Sequence, residues 1–205
     1  MDLARTLILL AKKGGSDLCK FQLYNHNILY KDHPEIPDVA LSFDQSKMLF
    51  DYGASVDMEV FFSVFDVEKV KWCEEIGVKR YKLACGKIND WELLKAIAKL
   101  CKPCVISTDK DLFGWYDVKD FRFIYCSPKY PSTAHDYRYM LDKVDGISDH
   151  TIGLDCAKIA LARGAEIIEK HFCLDHHTGI DAEWAMDFNE LVELKRWETL
   201  CKEIL

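Results

Sequence analysis

The chain has 205 residues, a formal net charge of −7, 49% hydrophobic and 30% charged residues. That balance excludes a disordered chain and suits a single domain, residues 1–205, with a substantial core. The acidic charge argues against nucleic-acid binding, and no run approaches the ~20 apolar residues of a membrane helix. The apolar run Leu7 to Ala11 lies in an amphipathic segment without a small-residue cleavage site, so no secretory leader is expected. Nine cysteines, spread evenly along the chain, read as reduced thiols of a cytoplasmic protein. Cys101 and Cys104 form the single C-x-x-C, and no second pair completes a zinc site. Cys73, Cys156 and Cys201 fall on apolar helix positions and read as core residues.

In chain order, Asp2 to Lys13 predicts an amphipathic helix stopped by Gly14-Gly15, and Leu18 to Tyr24 a strand. A polar loop, Asn25 to Val39, carries Pro34 and Pro37. Ser42 to Tyr52 reads as a helix ended by Gly53, Glu59 to Phe65 as a strand, and Val67 to Ile76 as a helix closed by Gly77. The strand Arg80 to Ala84, the helix Asp90 to Leu100 and the strand Cys104 to Ser107 follow. Asp109 to Lys119 stands where another helix is due. Phe121 to Cys126 reads as a strand, Thr133 to Val144 as a helix, and Gly146 to Ser148 as a short strand. Leu154 to Arg163 (helix), Glu166 to Phe172 (strand) and Phe188 to Ile204 (helix) complete the chain. The charged run Lys69 to Glu75 reads as a solvated helix face.

Strand–helix alternation from end to end predicts a parallel α/β sheet, either open and doubly wound or a TIM (β/α)8-type barrel. No G-x-G-x-x-G or G-x-x-x-x-G-K-[ST] occurs. Polar residues instead recur at strand C-termini: Lys20 and Gln22, Ser63, Lys82, Ser107, Tyr130, Ser148 and His150, Glu169 and His171. Barrel active sites are assembled there from several strands, which favours the barrel.

Lys20 and Gln22 share one strand face, and a lysine between Cys19 and Phe21 is costly to bury without an anionic partner. Lys82 repeats the pattern. With Ser63, Ser107 and Ser148, the two lysines suit a phosphate or carboxylate; either could instead form a Schiff base. His150 and His171 end consecutive strands ~4.8 Å apart and are candidates to share a divalent cation. Asp181 offers a carboxylate or a sugar contact from the next loop, while His176-His177 read as solvated.

These motifs resemble the sialic acid synthase family, the phosphoenolpyruvate-dependent synthases of N-acetylneuraminic, legionaminic and pseudaminic acids. The resemblance is carried by CKFQ at Lys20, FFSVFD at Ser63, YKLACG at Lys82, ISTD at Ser107, CSPKYP at Tyr130, GISDHTIGLD through His150 and GAEIIEKHFCLD through His171. It implies a barrel that condenses phosphoenolpyruvate with an N-acetylhexosamine aldehyde, such as N-acetylmannosamine, to a sialic-type acid and phosphate. Lys20, Ser63, Lys82, Ser107 and Ser148 would hold phosphoenolpyruvate, with Cys85 where the family has a phosphate-binding Ser. Gln22, Tyr130 and Asp181 would lie on the sugar side, and His150 and His171 would ligate manganese or magnesium.

Against the family pattern, Met1-Asp2 begins where a first strand and its NHNGD-like loop would end, and no C-terminal antifreeze-like domain follows. Lys87 replaces a sugar-facing Glu, Pro128 an Asn, and Asp109-Lys110 a Gly-Met. The expectation is therefore an incomplete barrel, either truncated or given too late a start, or one that takes the missing strand from another chain in a homo-oligomer (dimer) or from a partner chain. Two alternatives are a catalytically inactive relative that binds sugar or phosphoenolpyruvate or partners a synthase subunit, and a Schiff-base aldolase using Lys82.

Overall fold

The computed structural model describes residues 1–110, 120–137 and 144–204. Seven strands, β1 (Leu18–Leu23), β2 (Glu59–Val64), β3 (Tyr81–Leu83), β4 (Cys104–Thr108), β5 (Phe121–Cys126), β6 (Gly146–Asp149) and β7 (Ile167–Lys170), form one sheet in sequential order. Every adjacent pair is parallel. Helices α1 (Asp2–Gly14), α2 (His26–Leu29), α3 (Phe43–Ser55), α4 (Val67–Ile76), α5 (Trp91–Ala98), α6 (Asp155–Ala162) and α7 (Phe188–Ile204) fill the connections. No helix among the described residues is long and apolar enough to cross a membrane.

Sequential parallel order with right-sized crossovers is the wiring of a barrel, and the sheet curls as one. Lys20 on β1 reaches Glu169 on β7 at 2.6 Å, a contact that a flat seven-stranded sheet forbids. The curl stays open at one side: among the described residues β1 and β7 each pair on one edge only, and both are half-buried along most of their length.

The main core lies between sheet and helices. Outward residues of the strands, such as Val60, Phe62, Val64, Leu83 and Ile106, pack with Ile8, Leu49, Leu93 and Ile97 of the helices. Helix termini follow the sequence signals. Ser42 caps α3 in a capping box with Gln45, Asp66 caps α4 through the Lys69 amide, and Asp90 caps α5 through Leu93.

Four expectations change. Gly53 does not stop its helix, because α3 runs on to Ser55; a Cβ there would sit 2.3 Å from Val60 Cγ2, so the glycine lets helix and sheet approach. Of the predicted helix Thr133 to Val144 the structure shows a 3-10 turn, Ala134–Tyr137, and residues 138–143 lie outside the described residues, as do 111–119 of the stretch from Asp109. Lys69 is buried rather than solvated, its Nζ 4.0 Å from the Trp72 ring centre. Cys73 and Cys156 are buried as expected, while Cys201 is half-buried.

Gly146 begins β6 where the backbone of β7 passes closest: an added Cβ would lie 1.8 Å from the Ile167 carbonyl oxygen. A backbone atom cannot swing aside, so Gly146→Ala is expected to cost about 3 kcal/mol, lowering Tm by roughly 6–12 °C. Calorimetry checks this, and an unchanged Tm refutes the close approach.

Candidate active site

Strand register decides which side chains face the inside of the curl. Gln22 is opposite Ser63 and Ser63 opposite Lys82, one row across β1, β2 and β3. Cys126, Ser148 and Glu169 form a second row across β5, β6 and β7. The curl turns these rows toward each other around a cavity of about 550 Å³, also lined by Cys85, Ser107, Tyr130, His150, His171 and Asp181.

Glu169 links the rows, with Oε1 2.6 Å from Lys20 Nζ and Oε2 3.5 Å from Lys82 Nζ. Lys82 is 2% exposed and also donates to Ser107 Oγ at 2.6 Å and to the Leu83 carbonyl at 2.8 Å. Burial pushes its ammonium pKa down and Glu169 pulls it back; three acceptors suit the charged form. Burial opposes ionisation of Glu169, but Lys20 and Lys82 outweigh it and hold the carboxyl well below the usual range. Two ammonium groups sharing one carboxylate leave an excess positive charge facing the cavity.

On the rim above, the His150 and His171 rings lie 5.4 Å apart between centres. Burial is the main cause that pushes His150 down to about 4 and His171 down to about 3, so both are neutral near pH 7. His171 Nδ1 lies 3.2 Å from Asp181 Oδ2, and burial raises the pKa of that carboxyl. A neutral imidazole donating from Nδ1 to a carboxylate keeps Nε2 free as a ligand. Two neutral imidazoles beside a carboxylate suit a divalent cation in donor chemistry, and these are the residues that would hold one. Tyr130 lies over His150, with ring centres 4.2 Å apart, and Trp184 stands against Tyr130 and His171.

The outward faces of β6 and β7 fix this rim. Asp149 and Lys170 are register partners whose fully buried side chains meet at 3.1 Å, and Lys170 also donates to the Thr151 carbonyl. The Tyr137 hydroxyl donates to the Ser148 carbonyl and accepts from the His150 amide. Backbone on either side of the metal-candidate imidazole is thus held by side chains rather than by sheet alone.

Every site residue expected from sequence lines this one cavity: Lys20, Lys82, Tyr130, Asp181, Gln22, Ser63, Cys85, Ser107, Ser148, His150 and His171. Glu169 was visible only as a polar strand end; its spacing of two from His171, which puts both on one face, was the signal for a shared site. Cys126 gave no such signal. His176 is exposed, as expected, and its Nε2 meets Glu190 at 3.3 Å; with Asp187 it forms the one compact His/Cys/Asp/Glu group among the described residues. That group also ends in the reciprocal cap between Asp187 and Glu190 that starts α7, a structural role.

The NeuB family pattern matches residues 7–112 and 117–203. The chain belongs to the NeuB family. Among its relatives, the uncharacterized protein MJ1065 of Methanocaldococcus jannaschii is 28% identical over 95% of this chain and 64% of its own length. The pseudaminic acid synthase of Campylobacter jejuni is 27% identical over 93% of this chain and 66% of its own. This NeuB chain thus spans about two thirds of the length of such curated relatives. A crystal structure of the N-acetylneuraminic acid synthetase of Leptospira borgpetersenii, in complex with citrate, superposes with a TM-score of 0.91 at 26% identity, covering 99% of this chain and 79% of that one.

Glu169→Gln leaves two ammonium groups without their anion and is expected to destabilise the fold by about 3 kcal/mol. Added inorganic phosphate should then raise the Tm of the variant more than that of the unaltered chain, because a bound anion replaces the lost charge. Equal phosphate effects on both proteins contradict an anion site at these lysines.

Proposed function

We propose that this NeuB chain carries the barrel of a synthase that condenses phosphoenolpyruvate with an N-acetylhexosamine aldehyde, giving a nonulosonic acid and phosphate. The observation that carries the reading is the excess positive charge of Lys20, Lys82 and Glu169 lying beside the His150–His171 pair in one cavity. A phosphorylated carboxylate needs the first feature and an aldehyde electrophile benefits from the second.

In this reading Lys20, Lys82, Ser63, Ser107 and Ser148 bind the phosphate and carboxylate, with Cys85 beside them, and Gln22 and Tyr130 border the sugar. His150 and His171 would hold a manganese or magnesium ion, which when bound would supply Lewis-acid polarisation of an aldehyde. Asp181 orients His171. C3 of phosphoenolpyruvate forms a bond to the aldehyde carbon, whose oxygen takes a proton. Water adds at C2, and the tetrahedral C2 expels phosphate by C–O cleavage to leave a 2-keto acid. The lysines act by position and charge. The three acceptors on Lys82 Nζ favour this role over a Schiff base, which needs a free amine.

The test is phosphate release from phosphoenolpyruvate with manganese, with and without N-acetylmannosamine or a related hexosamine. Sugar-dependent release, abolished by chelation and restored by manganese or magnesium, is the expected result. Phosphoenolpyruvate binding with no release under any sugar contradicts the synthase and leaves a binding-only relative. Borohydride trapping of Lys82 with a keto acid would point to the aldolase instead.

A further inference from the structure

The loop between β7 and α7 carries Asp181 and Trp184. Backbone bonds close its neck, from the Cys173 amide to the Met186 carbonyl at 2.9 Å and from the Met186 amide to the His171 carbonyl at 2.8 Å. Next to that neck three donor side chains converge from the two ends of the loop. His176 stands on the outgoing arm, and Asp187 and Glu190 stand where the chain returns into α7. His176 Nε2 lies 3.3 Å from Glu190 Oε2 and 4.0 Å from Asp187 Oδ2, and one ligand atom from each residue lies within 4.8 Å of the others. Around a tetrahedral zinc with bonds of about 2.0–2.1 Å, neighbouring ligand atoms sit about 3.3 Å apart. One edge of that tetrahedron is therefore already set.

The second ring nitrogen supports the same reading. His176 Nδ1 lies 3.4 Å from the Ala182 carbonyl oxygen. A ring that donates there turns a bare Nε2 lone pair toward two carboxylates, which repel it unless a cation stands between them. The cap of α7 leaves donors over for that cation, because it uses Asp187 Oδ1 and Glu190 Oε2 and leaves Asp187 Oδ2 and Glu190 Oε1 outside it. Two carboxylate charges outweigh the roughly half a positive charge at a helix N-terminus.

We propose that His176, Asp187 and Glu190 form a metal site of the zinc class that staples together the two ends of the loop carrying Asp181. An imidazole beside two carboxylates suits such an ion better than magnesium or calcium, which favour shells of oxygen alone. A proton on Nε2 would satisfy one carboxylate; a third donor within coordination spacing has a use only around a metal, with water in the fourth position. The three side chains are 41%, 28% and 25% exposed, so an ion reaches them from solvent. The site shares no residue with the His150–His171 pair, and it stands whether or not the chain condenses phosphoenolpyruvate. Its consequence for the cavity runs through the loop: Asp181, which meets His171 Nδ1 at 3.2 Å, lies between the stapled ends.

The experiment is hydrogen-exchange mass spectrometry of the full chain with and without zinc chloride, read over residues 173–187 and repeated in His176→Ala, Glu190→Gln and His150→Ala. Glu190→Gln keeps an acceptor for the Asp187 amide while removing the carboxylate, so the cap of α7 survives the change. Zinc should slow exchange of the segment by about tenfold or more in the unaltered chain and in His150→Ala. In His176→Ala and Glu190→Gln the slowing should largely disappear. No slowing of the unaltered chain overturns the site, and so does equal slowing in His176→Ala. Slowing that vanishes in His150→Ala assigns the effect to the cavity pair and overturns the site as well. Equal slowing by magnesium chloride overturns the zinc-class assignment.

Discussion

One carboxylate shared by two ammonium groups holds the inside of this barrel together. Lys20 stands on the first strand of the sheet, Lys82 on the third, and Glu169 on the last, so their contacts exist only because the sheet curls. Within a poorly solvated space two unneutralised lysines repel and pay a large desolvation cost. Glu169 offsets both, yet those three side chains keep a surplus positive charge, the feature on which the proposed anion site rests. A stabilising contact and a binding feature are thus the same three side chains.

The rim depends on a different pair. Asp149 and Lys170 are fully buried on the outward faces of the strands whose inward faces carry Ser148 and Glu169. With Tyr137 bonding the backbone around His150, they fix the strand ends from which His150 and His171 project. Alternation with period two therefore divides the labour: one face of β6 and β7 supports, and the other lines the cavity. The tilted stack of Tyr130 on His150 continues that order outward to the rim of the cavity.

Much of this was legible in the sequence because both periodicities are strong. Helix α7 and the ends of α4 follow the apolar spacing and the Gly77 stop, and the polar strand ends mark the cavity before any coordinates do. What was not legible depends on distant contact. Gly53 reads like a helix stop because a packing glycine and a capping glycine are the same letter, and only the nearness of Val60 distinguishes them. Glu169 reads as a strand-end acid, since the neutralising partners it meets lie on strands far away in the chain.

The account stands or falls on whether the Lys20–Glu169–Lys82 group receives an anion. Calorimetric titration of phosphoenolpyruvate into the chain and into its Lys82→Ala variant asks this directly. The account predicts saturable binding that weakens by about tenfold to a hundredfold in the variant, the loss of one charge-assisted contact. Equal affinity in the two proteins, with the variant still folded, would make Lys82 a purely structural residue and contradict the account.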